Sequence, residues 1–179
     1  MLTRATESLI ETLTHPGGFI SPLTIDEAVT RALAEDLGRA GDVTSIATVP
    51  VGTPSRTVLA ARKAGTIAGL PLAVACFRKL SPEIEIVPVA RDGASVEAKA
   101  ALMHINGDAR AVLSGERVAL NFVQHLSGIA TATASCVYLL RGSGVEVLDT
   151  RKTIPGLREL EKQAVAAGGG RDRLLLELP

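Results

Sequence analysis

Val145-Glu146-Val147-Leu148-Asp149-Thr150-Arg151-Lys152-Thr153-Ile154-Pro155-Gly156 is the stretch on which the reading of the chain turns. Val145, Val147 and Leu148 read as a short buried strand, and it ends abruptly in a carboxylate, a hydroxyl and two adjacent cations. Strands that end in polar chemistry are how α/β folds build sites. Arg151 offers a planar fork to carboxylates or phosphates and Lys152 a point charge, so the pair suits a small, multiply anionic ligand. A plain solvated strand end is the alternative reading of the same residues.

Working outward, Pro155 opens a further helix with Leu157, Leu160, Ala164 and Val165 on one face, closed by Gly168-Gly169-Gly170. Upstream, Ser114 is expected to cap a long helix from Gly115 to about Leu140, with Val118, Leu120, Phe122, Val123, Leu126, Ile129 and Ala130 distributed nearly all the way round. Arg117 would then lie in the first turn, where the helix dipole disfavours a cation unless an anion joins it. That makes Arg117 a candidate ligand residue, with a salt bridge to a nearby acid as the alternative. His125 reads as a satisfied core histidine. Helix, strand, charged strand end and helix make the beginning of a βα-barrel or doubly wound sheet.

Residues 1–113 carry a different pattern. A short helical lead precedes the turn His15-Pro16-Gly17-Gly18. Thr24 with Glu27 forms a capping-box pattern, and Ile25, Val29, Leu33 and Leu37 recur every fourth residue, which predicts a helix over 25–37 stopped by Gly38. Glu35, Asp36 and Asp42 lie close together beside glycines, as in turns and caps and also as in metal sites. Two strands are expected on either side of Lys63-Ala64-Gly65, then a helix that Pro71 starts over 72–80. An edge strand containing Pro88 follows within 83–90, and another strand over 109–113. The fold class expected is an α+β amino-terminal domain (1–113) followed by the first part of an incomplete α/β barrel (114–170), with a tail at 171–179.

Composition narrows the functional classes. Nineteen basic residues balance nineteen acidic ones, so no net positive field argues for nucleic acid. Aromatic residues are 2% with no Trp, which leaves no stacking platform for single strands. Hydrophobic residues make up 46%, mean hydropathy is +0.28, and no segment has eighteen uninterrupted apolar residues. Cys76 and Cys136 sit in apolar surroundings and give neither a disulfide framework nor a metal-ligand spacing. Buried reduced thiols and the absence of an apolar leader run in 1–14 predict a soluble cytoplasmic protein without a membrane partner.

Several ordered motifs resemble one family. Ser114-Gly115-Glu116-Arg117 with Asn121-Phe122-Val123-Gln124-His125-Leu126-Ser127-Gly128-Ile129-Ala130-Thr131-Ala132-Thr133, then Asp149-Thr150-Arg151-Lys152-Thr153-Ile154-Pro155-Gly156-Leu157-Arg158, then Glu161-Lys162-Gln163-Ala164-Val165 running into Gly168-Gly169-Gly170, closely resemble the quinolinate phosphoribosyltransferases. Glu35-Asp36-Leu37-Gly38 to Gly41-Asp42-Val43-Thr44, and Ala64-Gly65-Thr66-Ile67-Ala68-Gly69, look like that family's amino-terminal domain. The likeness covers roughly residues 20 to 170.

The resemblance implies conversion of quinolinate and phosphoribosyl pyrophosphate into nicotinate mononucleotide, carbon dioxide and pyrophosphate, with Mg2+, in NAD synthesis. It implies Arg117, Thr150, Arg151 and Lys152 as substrate-binding residues and Lys152 as the catalytic one. It also implies a homodimer or higher homo-oligomer in which the arginine matching Arg117 reaches a neighbouring subunit's site. After Gly170 the family continues with an Asn-His-Arg segment, a Lys-Asp-Asn-His segment and later strand-end acids that handle ribose and magnesium. Arg171-Asp172-Arg173-Leu174-Leu175-Leu176-Glu177-Leu178-Pro179 departs from that pattern. At roughly 30 residues per βα unit, closing a barrel needs on the order of a hundred more residues. The expectation is therefore a truncated or frameshifted member with no metal ligands of its own, inactive alone. Two further readings stay open: a non-catalytic association fragment, and a related pyridine phosphoribosyltransferase with another substrate.

Overall fold

A computed structural model describes residues 3–15 and 20–172. The first layer is built around helix α4 (Leu70–Leu80). Leu70, Leu72, Ala73, Val74, Ala75 and Cys76 are all fully buried, because α1 (Arg4–Leu13), α2 (Pro22–Leu37) and the later long helix pack on different sides of α4. Pro71 sits in its first turn as the sequence predicts, and Gly69 precedes it at φ +94°, a conformation that favours glycine. No side chain of the preceding residues caps α4. Asp92 does so from a distant loop, accepting the amides of Gly69 (2.9 Å) and Leu70 (3.0 Å).

Helix α2 is longer at its start than the periodicity suggests. Ser21 is its cap, accepting from the amide of Leu23 with Pro22 at the first helical position, and Thr24 lies inside the helix. Thr24 and Glu27 therefore form no capping box, since Pro22, two residues before Thr24, fixes the start. Gly38 ends the helix as expected. Of the turn His15-Pro16-Gly17-Gly18, only His15 lies within the described residues. Of the acidic cluster, Glu35 and Asp36 lie within α2, and Asp42 is the cap that begins the short α3 (Val43–Thr48), accepting from the amide and hydroxyl of Ser45 and from Ser114 Oγ. Those bonds, the Ser45 hydroxyl first, hold its carboxyl below the usual range.

Strands β1 (Pro54–Ala60), β3 (Glu85–Pro88) and β5 (Ala101–Asp108) form an antiparallel sheet in the order β1-β5-β3. Thr57 faces Ile105 and Ile86 faces the same residue from the other side. Pro88 lies on an edge strand, where a missing amide costs no ladder bond. The two strands expected around Lys63 both exist but do not pair with each other: β1 pairs β5, whereas β2 (Gly65–Thr66) pairs β4 (Ser95–Val96). The strand expected over 109–113 is displaced to β5, and residues 109–113 are helical.

That displacement changes the long helix. Helix α5 runs Ala109–Leu139 with Asp108 as its cap, accepting the amide of Ala111, so Ser114 and Gly115 are interior residues. Its polar residues are not decoration on an apolar rod. Ser127 Oγ accepts from the amide of Ala68 (3.0 Å) and donates to its carbonyl (3.1 Å), and Thr131 Oγ1 does the same at Thr66 (2.9 and 3.3 Å). Two hydroxyls a helical turn apart thus stand in for a neighbouring strand along 66–68. Gly65 permits the approach, since a Cβ there would lie 2.7 Å from Thr131 Oγ1.

Beyond α5 the chain is sparse. Val145 and Leu148 are exposed and form no strand; Leu148 makes a single parallel bridge to Arg171, with the amide of Asp149 donating to the Arg171 carbonyl and the Arg171 amide to Val147. A buried parallel strand needs partners on both sides, and here one residue supplies the first rung only. Helix α6 (Arg158–Ala167) links the two halves of that rung, starting three residues later than Pro155, which lies in a turn. Gly168 lets α6 close on α5, as a Cβ there would collide with the Ala130 carbonyl. A helix-and-sheet layer is thus followed by the opening piece of a βα architecture. Residues 173–179 of the expected off-pattern tail lie outside the described residues.

Candidate functional site

Thr150, Arg151 and Lys152 occupy an exposed loop between the bridge at Leu148 and α6. Among the described residues, neither the Arg151 nor the Lys152 side chain has a hydrogen-bond or ion-pair partner. The backbone beneath them is held. Thr150 Oγ1 accepts the amide of Lys152 at 3.1 Å. Arg158 Nη2 donates to the Arg151 carbonyl (3.4 Å) and its Nε to Thr153 Oγ1 (3.3 Å). Glu161 Oε2 accepts the amide of Ile154 at 3.3 Å, while its Oε1 meets His125 Nε2 at 3.0 Å.

The acid that begins the cluster is spent inward. Asp149 is buried, its Oδ2 3.1 Å from Lys162 Nζ, and Lys162 also meets Asp172 at 2.7 Å. Burial works to lower the Lys162 pKa, but hydrogen bonds and charge from Asp172 and Asp149 outweigh it and hold the ammonium above its ordinary value. Asp149 is thereby neutralised locally, and the loop's outward face carries only positive charge.

A cleft of about 740 Å³ lies beside the loop, walled by Arg31, Glu35 and Asp36 of α2, Asn121 and His125 of α5, and Ile154, Pro155 and Leu157. Arg31 Nη2 donates to the Gly156 carbonyl (3.3 Å) and Thr24 Oγ1 to Glu159 (2.7 Å), so α2 fastens the far end of the loop. His125 is therefore not a core histidine: half-buried, it lines this cleft and links α5 to α6.

Arg117 lies on α5. It is the ninth residue of α5, away from the orphan amides of the helix start, so the expected conflict with the helix dipole does not arise. Its side chain is 74% exposed, its guanidinium pairs with Asp36 at 3.0 Å, and it also lines a neighbouring cleft with Arg62, Lys63 and Gln124. The structure places Thr150, Arg151 and Lys152 together on the loop, and pairs Arg117 with Asp36, which lines the cleft beside that loop. Cys76 is buried and its thiol is pushed up to about 12 by desolvation, whereas Cys136 is exposed, contrary to expectation, on the outer face of α5.

Arg158, Glu161 and Lys162 went unassigned in the sequence. Their spacing, i, i+3 and i+4, places them on one helical face, and that was the available signal. For a metal ion the residues present do not fit: among those described, no group of three or more His, Cys, Asp or Glu converges, and Asp149 is taken by Lys162. No helix of the described residues is long and apolar enough to cross a membrane.

The comparisons with known proteins bear on this arrangement. The amino-terminal domain model of the quinolinate phosphoribosyl transferases matches residues 42–127 and their carboxy-terminal domain model matches residues 129–177. The chain belongs to the quinolinate phosphoribosyl transferase family. A nicotinate-nucleotide pyrophosphorylase [carboxylating] of Mycobacterium leprae (strain TN) is 40% identical over 146 residues, covering 80% of this chain and 51% of that protein. A chloroplastic protein of the same description from Arabidopsis thaliana is 40% identical over 141 residues, 79% of this chain and 40% of its own length. The solved nicotinate-nucleotide pyrophosphorylase of Francisella tularensis superposes with a TM-score of 0.83 at 32% identity, over 89% of this chain and 57% of that one. The chain thus spans about half the length of the relatives it matches. The junction between the two matched models, at residues 127–129, falls within α5, and the rung at Leu148 lies inside the second.

Proposed function

We propose that this chain contributes the dicarboxylate-binding loop of a carboxylating nicotinate-nucleotide pyrophosphorylase, an enzyme joining quinolinate to phosphoribosyl pyrophosphate. The observation that carries the reading is the loop itself: Arg151 and Lys152 are exposed and have no side-chain partner among the described residues, while the nearby acid, Asp149, is turned inward onto Lys162. A pyridine 2,3-dicarboxylate presents two anionic groups on neighbouring ring carbons, and a fork next to a point charge matches them. Lys152 is assigned the catalytic role and Thr150 a supporting contact.

In the reaction the pyridine nitrogen bonds to the anomeric carbon as the bond to pyrophosphate breaks, and positive charge develops on the ribose. The carbon–carbon bond to the 2-carboxylate then breaks, carbon dioxide leaves, and the ring carbon keeps the electron pair and takes up a proton. Fixed cations hold the ring in line for the first step. Magnesium is expected with the pyrophosphate co-substrate, and these residues offer it no cage of their own. A homo-oligomer is part of the proposal, supported by the outward Arg117 and by Leu113 and Leu120 exposed on α5. So is a cytoplasmic setting, supported only by two free cysteines and set against the organellar name of the plant relative.

The test is turnover in a version of the chain completed to its relatives' length. Lys152→Ala should lower carbon dioxide release from quinolinate by about a hundredfold or more. Near-normal turnover in that variant overturns the assignment, and equal turnover of other pyridine carboxylates assigns the chain a different substrate.

A further inference from the structure

The cationic loop is pinned from below at three points by one face of one short helix. Lys162 engages Asp149 at the loop's entrance (3.1 Å), Arg158 engages the Arg151 carbonyl and Thr153 at its middle (3.4 and 3.3 Å), and Glu161 takes the Ile154 amide at its exit (3.3 Å). Glu161 is itself buried and braced by His125 of α5 at 3.0 Å. None of these contacts occupies the Arg151 or Lys152 side chain; all act on the backbone or on residues flanking the pair. The loop has almost no ladder of its own, since the bridge Leu148–Arg171 is the last regular pairing before it.

We infer that Arg158, Glu161 and Lys162 are positioning residues: α6 clamps the loop 149–154 and thereby fixes the spacing of Arg151 and Lys152 before an anionic ligand arrives. The inference rests on the dicarboxylate reading of that loop. Two long cationic side chains on an unpinned loop would have to order both backbone and side chains on binding, and holding the backbone beforehand removes part of that cost. The arrangement also orders the charges. Arg158 is a third cation beside the loop, yet its donors are turned to a carbonyl and a hydroxyl, so it shapes the site without competing for the ligand. Lys162 sits between two carboxylates and is likewise unavailable to ligand.

Two measurements on the chain as it stands separate the clamp from the functional reading. Amide hydrogen exchange without ligand should show the amide of Lys152 opening about tenfold faster in Arg158→Ala and in Glu161→Gln than in the unaltered chain. Neither substitution touches that amide's own acceptor, Thr150 Oγ1. Calorimetric titration with quinolinate should show about tenfold weaker binding in both variants. Lys162→Arg, which keeps a cation between Asp149 and Asp172, should restore protection and affinity that Lys162→Met loses; a merely structural defect would not follow charge in this way. Arg158 is exposed, so its variant is expected to fold even if Lys162→Met does not. Unchanged exchange at Lys152 in the Arg158 and Glu161 variants overturns the clamp. Faster exchange in those variants, with no quinolinate binding by the unaltered chain, supports the clamp and counts against the dicarboxylate reading. Faster exchange with unchanged quinolinate affinity overturns the positioning role.

Discussion

The two halves of the molecule hold themselves together by different physics. Up to about Asp108, side chains converge on α4 and the sheet, and polar groups serve mainly as caps. From Val145 to Asp172, only Leu160, Ala164 and Ala167 of α6 join that core, and the loop before them is held by hydrogen bonds and ion pairs of α6. A region fixed by apolar burial tolerates polar change at its surface. A region fixed by directed polar contacts is specified by a few named atoms, and it is the region that presents the candidate site.

The largest effect should come from the first half. Leu72 has no exposure, and Leu72→Ala should lower unfolding free energy by about 2–5 kcal/mol in a urea titration. Leu148, which the sequence pattern places in a buried strand, is 44% exposed, and Leu148→Ala should stay within about 0.5 kcal/mol. If the Leu148 change costs as much as the Leu72 change, the contrast between the halves is wrong.

Next comes a pH effect, again from the first half. Asp92 is 7% exposed, and burial lifts its carboxyl to about 7 against the pull of the Gly69 and Leu70 amides. Its folded value lies above its unfolded one, so between about pH 4 and pH 7 the native state keeps a proton that the unfolded chain has lost. Stability from this group is complete below pH 4 and falls by roughly 1.4 kcal/mol per unit as pH rises to 7, then levels. Urea midpoints across that range should show the slope in the unaltered chain and lose it in Asp92→Asn, which carries no titrating proton. An Asp92→Asn slope equal to the original assigns the pH dependence elsewhere.

The same contrast explains what could be read from the residues alone. Helices α2 and α4, the edge position of Pro88 and the cationic pair at 151–152 follow from periodicity, turn chemistry and charge, which are local. The start of α5 was misplaced because Asp108 and Ser114 are both sound caps in isolation, and only the pairing of β5 with β1 decides between them. The apolar pattern of Val145-Glu146-Val147-Leu148 is a strand pattern whose partners are almost missing, and periodicity carries no information on partners. Arg158, Glu161 and Lys162 share a face that spacing reveals. That they grip the loop before them, with His125 bracing from α5, depends on a turn at 155–156 whose direction no local rule sets.

The smallest expected effect sharpens the comparison from the other side. Arg117 pairs with Asp36 at 3.0 Å, but its side chain is 74% exposed against 19% for its partner, and such pairs contribute little because water and salt screen them. Arg117→Ala should therefore leave the urea midpoint nearly unchanged, by less than about 0.5 kcal/mol, and raising the salt concentration should shrink even that. A large loss would mean that the Asp36 contact fastens α2 to α5 as the α6 contacts fasten the loop. A negligible loss leaves the guanidinium available for work outside its own chain, and comparing the association of the two proteins by sedimentation then reads that work directly. Weaker self-association in Arg117→Ala at unchanged stability is the outcome that the proposed homo-oligomer requires if this arginine lies at its interface, and it would assign Arg117 to the junction between copies rather than to either half of the fold.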